Sequence, residues 1–535
     1  MSAQQNKPFD KKVIIAVAFF FIFYFGWQNY LAKKYPGYGK TNVAQNVTAE
    51  KKESQSVDGT PATDGALRAE PSLEPKTANV SIPEKWLSYQ DENVEFQLSN
   101  KGMGLSEFRV RKYTDKDKTP IILAQGTNQK LFEMRLGSSH NPVLFDIENR
   151  GEGHFVGRAQ IGDMKIEREL KYHPDSSSFS SYVKIQNPNK QAREGVSFFI
   201  PDKIHTPESS SFLFPSFERQ DFYISFGGTS ENVSINHAKE DVKKDYKVTS
   251  ILSLGTQYFS SAILDKSEIA PEAVVSAEVS TKAALAELIY RVPPQLAEFQ
   301  ISQILYAGPK SIDMLKKIDL KLEQLFDFGW MEWIAVPLLY TMKWIYTVIP
   351  NWGMAIILLT LFVRLLVLPF NIMSVRSMKN MQKIQPMINA LRERHKGDPL
   401  KLNQEMMALM KTNKANPLGG CLPMLIQIPI FFALYRVIGS SIELYQSPFG
   451  LWITDLSSHD KFYVLPVLMG ATMYIQQKIT PTTMDPAQAK IMAFMPLVFS
   501  VFMLQLPSGL TLYMFVSALF GITQQWIMLR EKKAS

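Results

Sequence analysis

"LLTLFVRLLVLPF", Leu358 to Phe370, is an apolar run with one arginine in its middle. Its flanks, Trp352 through Met373, lengthen it to the thickness of a bilayer, and Arg364 then sits roughly 18 Å from the start at 1.5 Å per residue. A permanent charge at that depth costs about 2.5 kcal/mol or more, so it is expected to face protein or a water-filled cavity. Snorkelling to the headgroups, or a structural pairing, is the plain alternative. Thr360 lies one turn earlier on the same face, as a wetted surface would have it. No apolar run contains an acid that would neutralise the arginine. A proton- or ion-coupled transporter is expected to carry an intramembrane carboxylate, so this weighs against transport.

Working outward, length and apolarity give five spans: 351–375, 417–440, 462–479, 490–506 and 508–529. The segment 376–416 carries nine Lys or Arg against three acids, while 441–460 has acids and no Lys or Arg. Lys478 and Lys490 flank the loop 480–489, and Arg530, Lys532 and Lys533 lie in the tail 530–535. Near the N-terminus, lysines precede the uncharged stretch "VIIAVAFFFIFYFGWQNYL", Val13 to Leu31, which reads as an uncleaved anchor (1–32). Six spans with both ends in the cytoplasm put every short basic loop inside and the long middle segment outside. Topology thus accounts for the net charge of +8.

The stretch 33–84 is a disordered tether: from Gly39 on it has no aromatic residue and is rich in Thr, Ala, Ser, Glu, Lys and Pro. From 85 to 310 short alternating segments such as "VEFQLS", "SSYVKIQN" and "VVSAEVS" are punctuated by "NKGMG" and "FGGT", the pattern of an antiparallel β-sandwich. In the connection 311–350, Leu315, Ile318, Leu322, Leu325 and Phe326 recur at three and four. That face is expected to lie in the membrane interface, with Trp330, Trp333 and Trp344 at headgroup depth.

The segment 376–416 reads as two helices around "HKGDP". The first carries Met378, Met381, Ile384, Met387, Ile388 and Leu391 on one side, with Lys379, Lys383, Arg392 and Arg394 among its basic residues; the second repeats the pattern with Leu402, Met406, Leu409 and Met410. A methionine-rich face suits varied apolar partners, and the basic face suits ribosomal RNA or anionic membrane lipid. A hairpin packed on itself fits the pattern equally. Gln427, Gln476, Gln477, Gln505, Ser517 and Gln524 are scattered through the spans. Each alone reads as an interhelical hydrogen bond, and with Arg364 they can line a hydrophilic groove. Arg436, near a span's other end, reads as snorkelling.

The single cysteine, Cys421, excludes an intramolecular disulfide and a CxxC metal ribbon. HExxH, GxxxxGK[ST] and GxSxG are all missing, so neither catalysis, a cofactor nor a metal is expected.

The residues that remain resemble a family. "NPLGGCLPMLIQIPIFFALYRVI" (Asn416 to Ile438), "SPFGLWITDLS" (Ser447 to Ser457), "YVLPVLMGATMYIQQKITPTTMDPAQAKIMAFMPLVF" (Tyr463 to Phe499) and "LPSGLTLYMFVS" (Leu506 to Ser517) resemble the YidC-type membrane-protein insertases. So do "LYAGPK" (Leu305 to Lys310) and "DFGWMEWIAVPLL" (Asp327 to Leu339). The anchor, tether and large outer domain are similar to the six-span form of Gram-negative inner membranes. The chain departs from the family at Met514 and Ala518, and its tail is short.

The resemblance implies an α-helical membrane protein, an anchor plus a five-helix core, with a large periplasmic all-β sandwich domain and a cytoplasmic helical hairpin. It implies a non-enzymatic insertase and chaperone of the bacterial inner membrane, acting alone or with the Sec translocon. Arg364 would lie in a groove open to cytoplasm and lipid, with Thr360, Gln427, Tyr513 and Ser517 beside it. Nascent inner-membrane proteins would be recruited by the hairpin and slide out along Met424, Ile428, Phe431, Met495, Phe499 and Met503. The ribosome and the signal-recognition particle with its receptor are the implied partners. Two other classes stay open on residues alone: a small-solute transporter with Arg364 as anion site, and a periplasmic sugar- or lipid-binding module.

Overall fold

The computed structural model describes residues 83–535 apart from 116–117, 138–141, 187–194, 206–217, 237, 292–295, 327, 329–330, 396, 414, 416–421, 481–485 and 531–535, and apart from the side chains of 399, 422–424, 486–491 and 529–530. The expected anchor, all but the end of the tether, and Trp330 lie outside the described residues.

The alternating segments form an all-β sandwich. A nine-stranded antiparallel sheet has the strands Glu298–Pro309, Ser178–Gln186 and Met164–His173 side by side in its middle. A four-stranded sheet (86–123) and a five-stranded one, which includes Val196–Lys203 and Ala283–Tyr290, complete it. The period of two sends alternate side chains inward, as along Ala283–Tyr290, where Ala284, Ala286, Leu288 and Tyr290 are buried. The three sheets share one core, with a knot of rings at Phe96, Phe108, Tyr172 and Phe179; Tyr172 and Phe179 lie 5.0 Å apart.

One inward strand position carries a fully buried guanidinium. Arg168 is fully buried, its guanidinium 5.1 Å from the centre of the Phe198 ring, and its Nη1 donates to Gly102 O at 2.6 Å. Burial pulls this guanidinium down to about 9, opposed by the Glu133 carboxylate. Gly102 has φ +64, and a Cβ there would meet the backbone of Met134 at 2.8 Å, so the loop that Arg168 braces accepts only glycine at this point.

After the last strand come helices α1 (Ile312–Ile318) and α2 (Glu332–Val348), with a 3-10 turn Leu320–Leu325 between them. The expected membrane-facing stripe is otherwise occupied: Leu315, Leu322 and Leu325 are buried against Tyr223, Ile251, Leu264 and Tyr306 of the β-domain. Its apolar periodicity reports burial, and the partner is a sheet. In α2, Trp333, Tyr340, Trp344 and Val348 are exposed while Ala335, Leu338, Leu339, Met342 and Ile345 pack inward.

The remaining helices are α3 (Trp352–Arg394), α4 (Pro399–Thr412), α5 (Leu422–Ser440), α6 (Val464–Ile479), α7 (Pro486–Phe502) and α8 (Ser508–Arg530). Helix α3 starts at Asn351, whose side chain accepts from Met354 N at 3.0 Å, and runs unbroken through 43 residues. It passes the boundary expected at Val375 because no turn residue stands there, and it carries Pro369 and Pro386 within it. Among the described residues, α3 and Ser508–Met528 of α8 are long and apolar enough to cross a membrane. Helices α5, α6 and α7 are shorter, at 19, 16 and 17 residues.

Candidate functional site

Arg364, Gln427, Tyr513 and Ser517 meet where α3, α5 and α8 come together. Arg364 Nε donates to Ser517 Oγ at 2.7 Å, and Nη2 of the same guanidinium donates to that hydroxyl as well. One turn before Ser517 on α8 stands Tyr513, whose hydroxyl accepts from Gln427 Nε2 of α5. Tyr513 and Ser517 are each 1% exposed, while Arg364 and Gln427 are half-buried. A guanidinium has five N–H donors in a rigid fork, and one hydroxyl occupies only part of it. With no Asp or Glu in any of these apolar helical segments, the remaining donors of this charge face water or whatever enters beside it.

Thr360 stands apart from this group. It is fully buried and its hydroxyl donates to Ile356 O at 2.6 Å, so its polarity is spent on its own helix. It marks the end where the bundle closes: Ile356, Leu359 and Val363 share one core with Leu434, Ile438, Leu456, Leu510 and Tyr513. The segment between α5 and α6 caps that end, where Gly509 N donates to Leu456 O at 2.9 Å and Ser508 Oγ to Asp455 O at 2.7 Å. In the other direction α3 exposes Leu365, Leu366, Phe370 and Met373. Arg364 thus sits at the foot of a sealed region, with apolar surface opening beyond it.

The expected sliding residues separate. Ile428 and Met495 are exposed; Phe431 and Phe499 are half-buried with ring centres 6.4 Å apart, joining α5 to α7. Met503 is fully buried, because α7 tightens into the 3-10 turn Met503–Gln505 and carries that side chain inward. The side chain of Met424 lies outside the described residues.

In the hairpin, Met381, Ile384, Ile388 and Ala415 form a small core with Met406, Leu409 and Met410 packed against it. Met381, Met406 and Met410 therefore hold the two helices together and do not form an open surface. Met387 is exposed and Met378 half-buried; Lys383, Arg392 and Arg394 are exposed. Lys379 Nζ donates to Met528 O at 2.7 Å, clasping α3 to the end of α8 where carbonyls lack helical partners. Leu400 and Met407, exposed on α4 and seven residues apart, are surface residues that the sequence reading passed over. Their spacing of two helical turns is the signal that was available.

Elsewhere, the β-domain has an open polar cleft of about 460 Å³ lined by Glu107, Arg109, Gln125, Asn128 and Lys130. Among the described residues, no group of three or more His, Cys, Asp or Glu gathers that could hold a metal ion.

Two family models match the chain in succession, one described as the YidC periplasmic domain over 88–341 and one as the 60Kd inner membrane protein over 344–535. The membrane protein insertase YidC of Campylobacter jejuni is 31% identical over 99% of this chain and 97% of its own. That of Nitratidesulfovibrio vulgaris is 33% identical, covering 98% of this chain and 99% of its own. A crystal structure of an active YidC insertase aligns with 84% of this chain and 93% of its own at 19% identity and a TM-score of 0.38.

Proposed function

The chain belongs to the YidC family of membrane protein insertases, inner-membrane proteins with a periplasmic domain, and from that premise we propose that it inserts its clients through the polar cluster around Arg364. The observation that carries this reading is a guanidinium set among apolar helices with one serine hydroxyl on it and no carboxylate. A charge so placed keeps water beside it and lowers the cost of bringing polar peptide into the membrane, a cost that is large when a polar group finds no partner.

The seal at Ile356, Leu359 and Leu456 supports a groove that is closed towards the periplasm and open towards cytoplasm and lipid. The polar outer segment of a nascent protein then enters from the cytoplasm, pairs transiently with Arg364, and crosses a short remaining barrier. Helix α6, at 16 residues, spans about 24 Å against a hydrocarbon core of about 30 Å, which favours local thinning of the bilayer. The client's apolar helix leaves along the exposed residues of α5 and α7. Both chain ends face the cytoplasm in this arrangement, which the bias of the basic loops favours. Helix α3 is about 65 Å long and projects far beyond the membrane, so the hairpin stands where a ribosome delivers its product. The ribosome, the signal-recognition particle with its receptor, and the Sec translocon are the partners of this role. Exposed Met387, Leu400 and Met407 and the basic Lys383, Arg392 and Arg394 are the recruiting surface.

The test is reconstitution of the full chain alone into liposomes, with protease protection of a short newly made membrane protein whose polar tail must cross. Protection above empty liposomes that is abolished by Arg364→Glu is the expected result. Arg364→Ala is expected to impair acidic tails more than neutral ones, with Arg364→Lys milder. Equal loss for both tails overturns the charge pairing, and protection untouched by Arg364→Glu overturns the site.

A further inference from the structure

Seven residues beyond Arg364 on α3, and seven beyond Ser517 on α8, the same two helices meet again through side-chain amides: Asn371 Nδ2 donates to Gln524 Oε1 at 3.5 Å. The helices run in the same direction, so their contact repeats with the heptad of a left-handed pair, about 10 Å further along. Asn371 is 6% exposed, and Ser374, one turn on, is 1% exposed. Among the described residues, Asn371 Oδ1, Ser374 Oγ and Gln524 Nε2 are all buried without a hydrogen-bond partner. The one bond they frame is at the long limit for such a contact.

Three unsatisfied polar atoms within one turn of α3 and on the facing α8 residue are costly, and apolar side chains of like size would be cheaper there. The atoms also complement one another. Gln524 Nε2 offers a donor, Asn371 Oδ1 an acceptor, and Ser374 Oγ either, which matches the two halves of a peptide group. Gln524 is half-buried, and Phe370 and Met373, which precede Asn371 and Ser374 on α3, are exposed on the flank of the same helix.

The geometry points to a second binding station at Asn371, Ser374 and Gln524, which takes uncharged peptide-like groups: backbone amides and the Asn, Gln, Ser and Thr side chains of a transiting segment. The inference rests on the reading of Arg364 as the site such a segment meets next. The peptide carbonyl accepts from Gln524, and the peptide N–H donates to Asn371 or Ser374. With no charge of its own, the station gives acidic segments nothing that Arg364 does not supply better, and it serves neutral polar segments that Arg364 does not favour.

The test uses the full chain in liposomes and two clients that differ only in the crossing segment, one rich in Asn, Gln and Ser and one acidic. The double variant Asn371→Leu with Gln524→Leu is expected to lower protection of the neutral segment about fivefold, the scale of one or two interhelical hydrogen bonds, and to change the acidic one less than about twofold. Its thermal midpoint is expected to stay level or rise, since both buried partners are replaced together. Ser374→Ala, near-isosteric, is expected to act in the same direction with a smaller loss. Unchanged protection of the neutral segment with a raised midpoint overturns the station and leaves a packing defect. Equal losses for both clients with a lowered midpoint overturn it in favour of a structural role. Arg364→Ala run alongside keeps the two readings apart: if it spares both clients, the Arg364 reading fails, while the station is judged on the neutral client alone.

Discussion

At the scale of single residues, the site is held by Ser517. Its hydroxyl takes both the Nε and an Nη of Arg364, fixing the fork against α8 and leaving its other edge outward. Ser517→Ala is expected to lower stability by about 1.5 kcal/mol, the lower end for a hydrogen bond to a charged group. Insertion of acidic segments is expected to fall with it, because the freed guanidinium loses its orientation; Ser517→Thr keeps the hydroxyl and is expected to retain most activity. Thermal midpoints in detergent alongside protease protection check this. A second residue prediction concerns Gly353, whose missing Cβ is replaced in space by the Phe449 side chain. Gly353→Ala is expected to destabilise by about 1–3 kcal/mol through overpacking, with part of the loss restored by Phe449→Leu, measured by the same melting experiment.

At the scale of elements, the hairpin separates what packs from what receives. Ile388 lies in the core between α3 and α4, so Ile388→Ala is expected to cost about 2–4 kcal/mol of local stability, read as faster amide exchange in α4. Met407→Glu on the exposed face is expected to leave that exchange unchanged and to reduce photocrosslinking of a nascent chain to the hairpin; undiminished crosslinking would remove α4 from recruitment. The same element shows what a sequence displays and what it withholds. The turn was legible because Gly397 and Pro399 flank Asp398, whose side chain accepts from Lys401 N at 3.0 Å to start α4. The β-sandwich was legible in its alternation, and Arg364 in its isolation. Which methionines face the partner helix was not, since a stripe at three and four reads the same against a helix, a sheet, lipid or a client. The stripe at Leu315, Leu322 and Leu325 reads in the sequence as membrane-facing and packs on the β-domain for the same reason. Thr360 shows the converse: the sequence places it on a wetted face, and in the structure it is fully buried with its hydroxyl bonded to Ile356 O.

At the scale of the whole molecule, the segment between α5 and α6 is shared property. Ile442 enters the core of the β-sandwich, while Leu444, Ile453 and Leu456 belong to the helical core. Tyr445 donates to Thr114 O at 2.9 Å and sets its ring, tilted, 4.8 Å from that of Tyr258; Gln446 Nε2 donates to the same carbonyl at 2.7 Å. Nearby, Lys343 of α2 pairs with Asp313 of α1 at 2.7 Å and with Glu443 at 2.8 Å, joining three elements by one ammonium that is 15% exposed. Such a junction of rings, backbone acceptors and a partly buried ion triad describes a β-domain seated on the sealed end of the bundle, since loosening any one contact leaves the others in place. On the proposed reading, the client path would run past a static cap and need no swing of the outer domain. A chain with Cys421→Ser, Thr114→Cys and Gln446→Cys, bridged by a short bis-maleimide, tests this: positions 114 and 446 touch, with Thr114 Oγ1 donating to Gln446 Oε1 at 3.0 Å. Insertion by the bridged protein is expected to match that of the unbridged double cysteine chain within about twofold, as a contact already rigid loses little freedom on bridging. A loss of most activity on bridging would instead make the β-domain a moving part, and the seal over Arg364 a gate that opens with it.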